Sequence, residues 1–406
     1  MAKIKPFQAI RYSGKNITDF ICPPYDVILS QEKERFKKLS PFNVISIELP
    51  EPVNKNSKYK NAAKLLNLWQ EEGILVRDDN PSFYFYEQLF DDHGTKMTRT
   101  GFFAALKLED TRSKNSAIKP HEKTLAKPKT DRLNLLKATK ANISPIFGLF
   151  EDENRIVRNL CKKIARRNPS CTARDSDDVF HKLWIVDDED IIKTLINHLS
   201  NKKIFIADGH HRYETAWNYS IERKEKDKHY SKDCACNYVM TYLCPMEDTG
   251  VSILPTHRVV STPDYLEDNV EKYFDIHLMK DLQKLSKKEI QPMIVFKDNK
   301  YRVLTIKNEN ILKKAMPGKS MAYRNLAVSI LHYILMPRIE PSEFTYVKDD
   351  KKAILLARKT GKMAIIVPST PIQSLKAISL SNEAMPQKST YFYPKLASGI
   401  VIASIK

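Results

Sequence analysis

Asp208-Gly209-His210-His211-Arg212 links an apolar, β-favouring run at 203–207 to a segment carrying Tyr213, Ala216, Trp217 and Ile221 on one helical face. The pattern predicts a strand, a tight turn and a helix start. A helix N-terminus offers N–H groups without intrahelical partners and a partial positive charge, a combination that suits phosphate oxygens. Gly209 lets the backbone come close to a ligand because no Cβ intervenes. Arg212, in the first turn, can grip two oxygens at once, and His210 and His211 add donors. Asp208 is the informative oddity, since a carboxylate beside a phosphate is repelled. It makes sense as a ligand of Mg²⁺ at the phosphate, or as the group that holds Arg212 or a histidine in place. The plainer alternative makes Asp208 a helix cap, but two histidines, a glycine and an arginine at one strand end exceed what a cap requires.

A second cluster follows Pro120: His121, Glu122, Lys123 and Thr124, with Lys127, Lys129, Asp131 and Arg132 close behind. Glu122 beside His121 can accept a proton from a substrate hydroxyl, while Lys123, Lys127 and Arg132 can neutralise a transferring phosphoryl group. Taken alone, the cluster also reads as a solvated charged loop. Cys22-Pro23-Pro24-Tyr25-Asp26 is a rigid turn. The stretch 385–395, with Lys388, Ser389, Thr390 and three aromatics, is either a packed, hydroxyl-rich loop or part of the site. Cys234, Cys236, Cys244 and His229 match the spacing of no common zinc knuckle. The chain carries no GxxxxGK[ST], GxGxxG or HExxH motif and no kinase HRD or DFG set, so the usual nucleotide cradles are missing.

The elements that must position these groups alternate between helix and strand. Segments 83–90 and 97–108 read as a β-hairpin, 44–49 as a strand and 58–71 as a helix. A helix is expected from Thr130-Asp131, others at 154–167 and 189–199, and strands at 182–186 and 237–243. Thr256-His257-Arg258 should lie in a turn, with a helix at 325–336 and strands at 302–306, 363–367 and 396–405. The pattern is mixed α/β, divided into units 1–115, 116–262 and 263–406.

The 406 residues carry a net charge of +18, spread along the chain and often beside acids, as on a solvated surface. Six cysteines are too few for a disulfide framework, so reduced thiols are expected. The start, MAKIKPFQAIRY, lacks a signal-peptide core, and no apolar run is long enough to span a bilayer. A soluble cytoplasmic protein is expected.

Several blocks together resemble a microbial family long filed as a domain of unknown function, ten-fifteen in that series, and linked to the ParB/sulfiredoxin-like superfamily and to free-serine kinases. They are residues 23–26, 43–50, 121–133, 142–150, 207–216, 255–258 and 385–395. The resemblance implies a ParB/sulfiredoxin-like core with additional N- and C-terminal α/β units. It implies that Gly209 to Arg212 bind phosphate and that Glu122 activates the hydroxyl of L-serine, giving O-phosphoserine, with pyrophosphate as donor and Mg²⁺ as cofactor. Tyr25, Asp26, His257, Arg258, Lys388, Ser389 and Thr390, from the remaining blocks, are then candidates for substrate binding. An ADP- or ATP-dependent serine kinase of the same fold is the alternative donor reading. A ParB-like nucleic-acid-binding protein would suit the charge, but neither a basic recognition helix nor aromatic-basic stripes are evident.

Overall fold

The structure is a computed structural model. It describes residues 1–52, 57–92, 94–122, 126–228, 230–281 and 290–406, without the side chains of 30 and 126–128. The chain forms two compact units: Met1–Pro120, Thr124–Val251 and Pro394–Lys406 make unit 1, and His121–Lys123 with Ser252–Tyr393 make unit 2. The consecutive segments 1–115 and 116–262 therefore do not stand apart, because their strands share one sheet.

That sheet has nine strands among the described residues. They are β1 (Ile4–Lys5), β2 (Phe83–Asp92), β3 (Thr95–Lys107), β4 (Ile118–Lys119), β5 (Ile146–Phe150), β6 (Cys171–Arg174), β7 (Phe180–Val186), β8 (Ile204–Asp208) and β9 (Tyr238–Pro245). Their order is β4-β8-β5-β9-β3-β2-β7-β6, with β1 on β3. The β2–β3 hairpin appears over the segments expected for it, with Asp92 opposite Thr95. Phe83, Phe85, Phe102, Phe150, Ile206 and Tyr213 fill the main core. Burial of such aromatics removes about 150–250 Å² each from water, which makes them the dominant apolar contribution here.

Segment 44–49 is not a strand. Ile45–Glu48 forms a single helical turn, α1. Asn43 decides this: its Oδ1 accepts from the Ile45 N–H at 3.0 Å, while its Nδ2 donates to the carbonyls of Asp19 and Ile21. Those bonds commit the local backbone to a turn. Ile45, Ile47 and Glu48 are all buried, so the alternation of residue types marked no exposed face. Three further helices matter for the site: α2 (Lys58–Glu71), α3 (Ala126–Thr139) and α4 (His210–Lys226). The helix α3 begins before Thr130-Asp131, so Asp131 is an internal residue rather than its cap.

Unit 2 centres on a six-stranded antiparallel sheet. Its strands are β10 (His257–Val260), β11 (Phe274–Met279), β12 (Met293–Lys297), β13 (Lys300–Ile306), β14 (Thr345–Val347) and β15 (Met363–Ile366), in the order β11-β13-β12-β15-β10-β14. Helix α5 (Asp350–Thr360) packs Ala353, Ile354 and Ala357 against Val259, Ile294 and Phe296. His257 and Arg258 therefore belong to a central strand and not to a turn; Pro255 only introduces it. Segment 325–336 is helical as expected, with Ala327–Ile330 running directly into a π-helical turn at Leu331–Leu335.

Reduced cysteines hold for Cys22, Cys161, Cys171 and Cys244, all buried. Cys234 and Cys236 instead pair as a disulfide across the turn Ala235–Asn237; His229 lies outside the described residues. Among the described residues, no helix is long and apolar enough to cross a membrane.

Candidate functional site

In unit 1, β8 delivers the chain to Gly209, which has φ +90° and ψ 26° and turns it directly into α4. The left-handed region is open to glycine at little cost. A Cβ at this position would also meet Nε of Arg212 at 3.1 Å. Among the described residues no side chain caps α4, although Tyr213 N–H closes the first turn on Gly209 O at 2.9 Å. The strand–turn–helix expected for phosphate is therefore present, with its helix N-terminus not spent on a side-chain cap.

Asp208 sits between two cations. Its Oδ2 accepts from Nη2 of Arg212 at 3.1 Å, and its Oδ1 lies 3.4 Å from Nζ of Lys395. Burial alone would raise the carboxyl pKa, but Lys395, Arg212 and His210 outweigh it and hold the group well below the usual carboxylate range. Arg212 in turn donates through Nη1 to Pro145 O, and only a tenth of its side chain is exposed. Both oxygens of Asp208 are thus engaged by cations. The group fits the anchoring role the sequence offered as an alternative, and it does not fit the role of an uncommitted Mg²⁺ ligand.

Tyr25, Asp26 and Arg132 come to the same region of unit 1. The Arg132 guanidinium lies 4.3 Å over the Tyr25 ring, and its Nη1 donates to Glu48 O at 2.9 Å. Asp131 Oδ2 accepts from Arg132 Nε at 3.0 Å, and Asp131 Oδ1 accepts from Lys58 at 2.6 Å. Burial pushes the Tyr25 phenol up to about 12, helped by Asp26 against the opposing pull of Arg212 and Arg132, so it stays a donor. Lys129 clasps α3 to α4 through Glu214 at 2.9 Å. Lys123 lies outside the described residues, as does the side chain of Lys127.

Unit 2 holds His121 and Glu122 against the 385–390 turn. Met385 N–H donates to His121 O at 2.8 Å, Glu122 bridges to Met385, and His121 Nε2 is 3.1 Å from Thr390 Oγ1. Ser389 donates to Pro386 O at 2.6 Å, and Lys388 adopts φ 57°. Arg258, fully buried, donates to Thr256 O and to the carbonyls of Gln387 and Lys388 at 3.4 and 3.1 Å. Its guanidinium thus holds the turn from beneath. His257 is 3% exposed and accepts from Val367 N–H through Nδ1. Burial, with Arg258 beside it, lowers its pKa to about 4 despite Asp350 and Asp349.

Sequence reasoning missed Lys395 as a partner of Asp208, and it missed the side chain of Glu48. Lys395 carried a visible signal, a cation closing the 385–395 stretch, but nothing local pointed it at Asp208. Glu48 is 1% exposed, its Oε1 accepts from Ser144 Oγ at 2.9 Å, and its Oε2 has no hydrogen-bond partner among the described residues.

No curated protein matches the chain significantly. Solved structures similar to it include a conserved hypothetical protein from Pyrococcus furiosus at 11% identity and TM-score 0.35, covering 71% of this chain and 92% of that one. A free serine kinase in complex with AMP matches at 11% identity and TM-score 0.33, over 68% of this chain and 83% of its own. SbnI from Staphylococcus aureus, with a C-terminal truncation, matches at 10% identity and TM-score 0.38, over 73% and 86%. At these identities and scores the likeness says nothing of activity. A family model described as "Protein of unknown function (DUF1015)" matches residues 4–329, and the chain, with its Asp208–Arg212 turn inside that span, belongs to this family.

Proposed function

We propose that the protein is a small-molecule phosphotransferase that moves a phosphoryl group from pyrophosphate to the hydroxyl of free L-serine, giving O-phospho-L-serine. The observation that carries this reading is the left-handed Gly209 turn at the uncapped start of α4, flanked by Arg212 and Lys395 on one carboxylate. Such a turn can receive phosphate oxygens on backbone N–H groups, with His210 and His211 as further donors and two cations held in register. Phosphoryl transfer asks mostly for positioning and charge neutralisation, which these groups supply.

In the proposed reaction the serine Oγ attacks one phosphorus, the bridging P–O bond breaks, and inorganic phosphate leaves with that electron pair. Glu122 takes the serine proton. Tyr25, as a neutral phenol, and the cations Arg132, Lys123 and Lys127 would stabilise charge on the transferred group. Pyrophosphate would bring Mg²⁺ as its counter-ion, which would offset charge on the transferred group.

The deciding assay incubates the full chain with L-serine and Mg²⁺ and offers pyrophosphate, ADP or ATP in turn, with phosphoserine detected by phosphorus NMR. Product with pyrophosphate supports the reading. Product only with ADP or ATP corrects the donor, and none with any donor sinks the serine-kinase reading.

A further inference from the structure

The face of the unit 1 sheet opposite the main core carries a buried polar pair, distinct from the proposed reacting groups. On β3, Arg99 and Phe103 alternate with Phe102 and Ala104, which fill that core. Gln88 of β2 is the register partner of Arg99, and both residues are 0% exposed. The Arg99 guanidinium donates to Gln88 Oε1 through Nη2 and, at 3.1 Å, through Nε. Its Nη2 also donates to Pro394 O at 2.6 Å, and Gln88 Nε2 donates to Lys395 O at 3.0 Å. Two neighbouring carbonyls of one segment are thus held by two interlocked side chains.

Burying a guanidinium and an amide costs desolvation energy that only good hydrogen bonds offset, whereas apolar residues would fill the same space without that cost. What the polar pair supplies is a fixed place for the backbone of Pro394 and Lys395. The Lys395 side chain, 13% exposed, runs from that backbone to within 3.4 Å of Asp208 Oδ1. A four-carbon stem is flexible, so the place of its backbone sets how often Nζ reaches the carboxylate. A retreat of about 1 Å would carry Nζ beyond the ~4 Å reach of an ion pair. The polar pair also lies near the donor turn: the guanidinium is 4.8 Å from the Phe147 ring, and Phe147 is the register partner of Asp208. Without Lys395 the Asp208 charge, beside the start of α4, would be offset by fewer cations and would repel a phosphate there.

We infer that Gln88 and Arg99 are positioning residues: by gripping the carbonyls of Pro394 and Lys395 they hold Lys395 Nζ against Asp208 and so make the Gly209 turn fit for a phosphate. The inference deepens the phosphotransferase reading and rests on it for its purpose, but its test needs neither serine nor turnover. Gln88→Met is neutral, similar in length and unable to donate to Lys395 O. Arg99→Lys keeps the charge but loses the fork, and it carries the test if the Gln88 variant fails to fold. Reductive methylation of the full chain, read by mass spectrometry of its peptides, should run several-fold faster at Lys395 in either variant, with exposed Lys193 as the unchanged reference. Calorimetric titration with magnesium pyrophosphate should show about tenfold weaker binding, the loss expected for one charged contact. In a Lys395→Met background the same substitutions should change affinity by less than about twofold, because the side chain they act through is gone. A pair that merely stabilised the sheet would cost the same in both backgrounds.

The inference is overturned if Lys395 is methylated at the wild-type rate in a folded variant, if a folded variant binds pyrophosphate as tightly as wild type, or if the loss is equal in both backgrounds. It falls together with the donor reading if the wild-type chain binds no pyrophosphate. A chain that shows the coupling yet makes no phosphoserine with any donor keeps the positioning pair and loses the kinase reading. A chain that makes phosphoserine from pyrophosphate, with an unchanged pyrophosphate KM in the folded variants, does the reverse.

Discussion

Gly209 and Glu122 mark the two kinds of residue on which the proposed chemistry depends, one for backbone shape and one for proton transfer. Gly209→Ala places a Cβ in the left-handed region and 3.1 Å from Arg212 Nε. The backbone term alone costs about 1–2 kcal/mol, so the variant should unfold at lower denaturant and should also lose pyrophosphate binding as Arg212 is displaced. A variant as stable as wild type would show that the strain and the contact are absorbed elsewhere. Glu122→Gln tests the other kind. General-base removal typically costs about 10²–10⁴-fold in rate, so turnover should collapse while pyrophosphate still binds, as read by calorimetry. Normal turnover would move the base to another residue.

At the scale of elements, β10 and the 385–390 turn form one device within unit 2. Arg258 is buried without an ion pair among the described residues, stacked 5.6 Å from the Tyr346 ring and bonded only to carbonyls. Burial pushes its pKa down to about 10. The turn it supports carries Thr390, and Thr390 meets His121 next to Glu122. Arg258→Lys keeps a charge but loses the fork that reaches two carbonyls at once. It should speed amide hydrogen exchange in the 385–390 turn and lower kcat several-fold, with little change in KM for pyrophosphate. Exchange identical to wild type would show that the turn is held without the guanidinium.

The whole molecule is a mixed α/β chain in two units, and its acid stability should be limited by unit 2. His257 and His332 are buried there, with pKa values lowered from 6.5 to about 4 by desolvation, reinforced by Arg258. Asp349 and Asp350 oppose the shift at His257 but do not cancel it. Above pH 6.5 both imidazoles are neutral whether folded or unfolded, and stability is at its full value. Between pH 6.5 and 4 the unfolded chain binds protons that the folded unit refuses, so stability falls. Melting followed across this window should show a drop of several degrees, reduced in His332→Asn. A flat profile from pH 7 to 4 would show that neither histidine is desolvated as described.

Local patterns determined a good deal. The Asp208–Arg212 turn was legible because a strand, a glycine needing positive φ and a helix start are all encoded within a few neighbouring residues. The β2–β3 hairpin and α2 were legible for the same reason, since their periodicity is a short-range property. Segment 44–49 misled because its alternation was read as one buried face, whereas both faces are buried and Asn43 claims the backbone bonds. His257 and Arg258 looked like turn residues after a proline until the pairing partners of β10, both distant in sequence, placed them in a central strand. Only the tertiary structure could decide that Asp208 anchors Arg212 and Lys395, or that Gln88 and Arg99 bond the segment carrying Lys395. Those assignments depend on which distant segments share a sheet or pack on one helix, and long-range packing leaves no local trace in residue order.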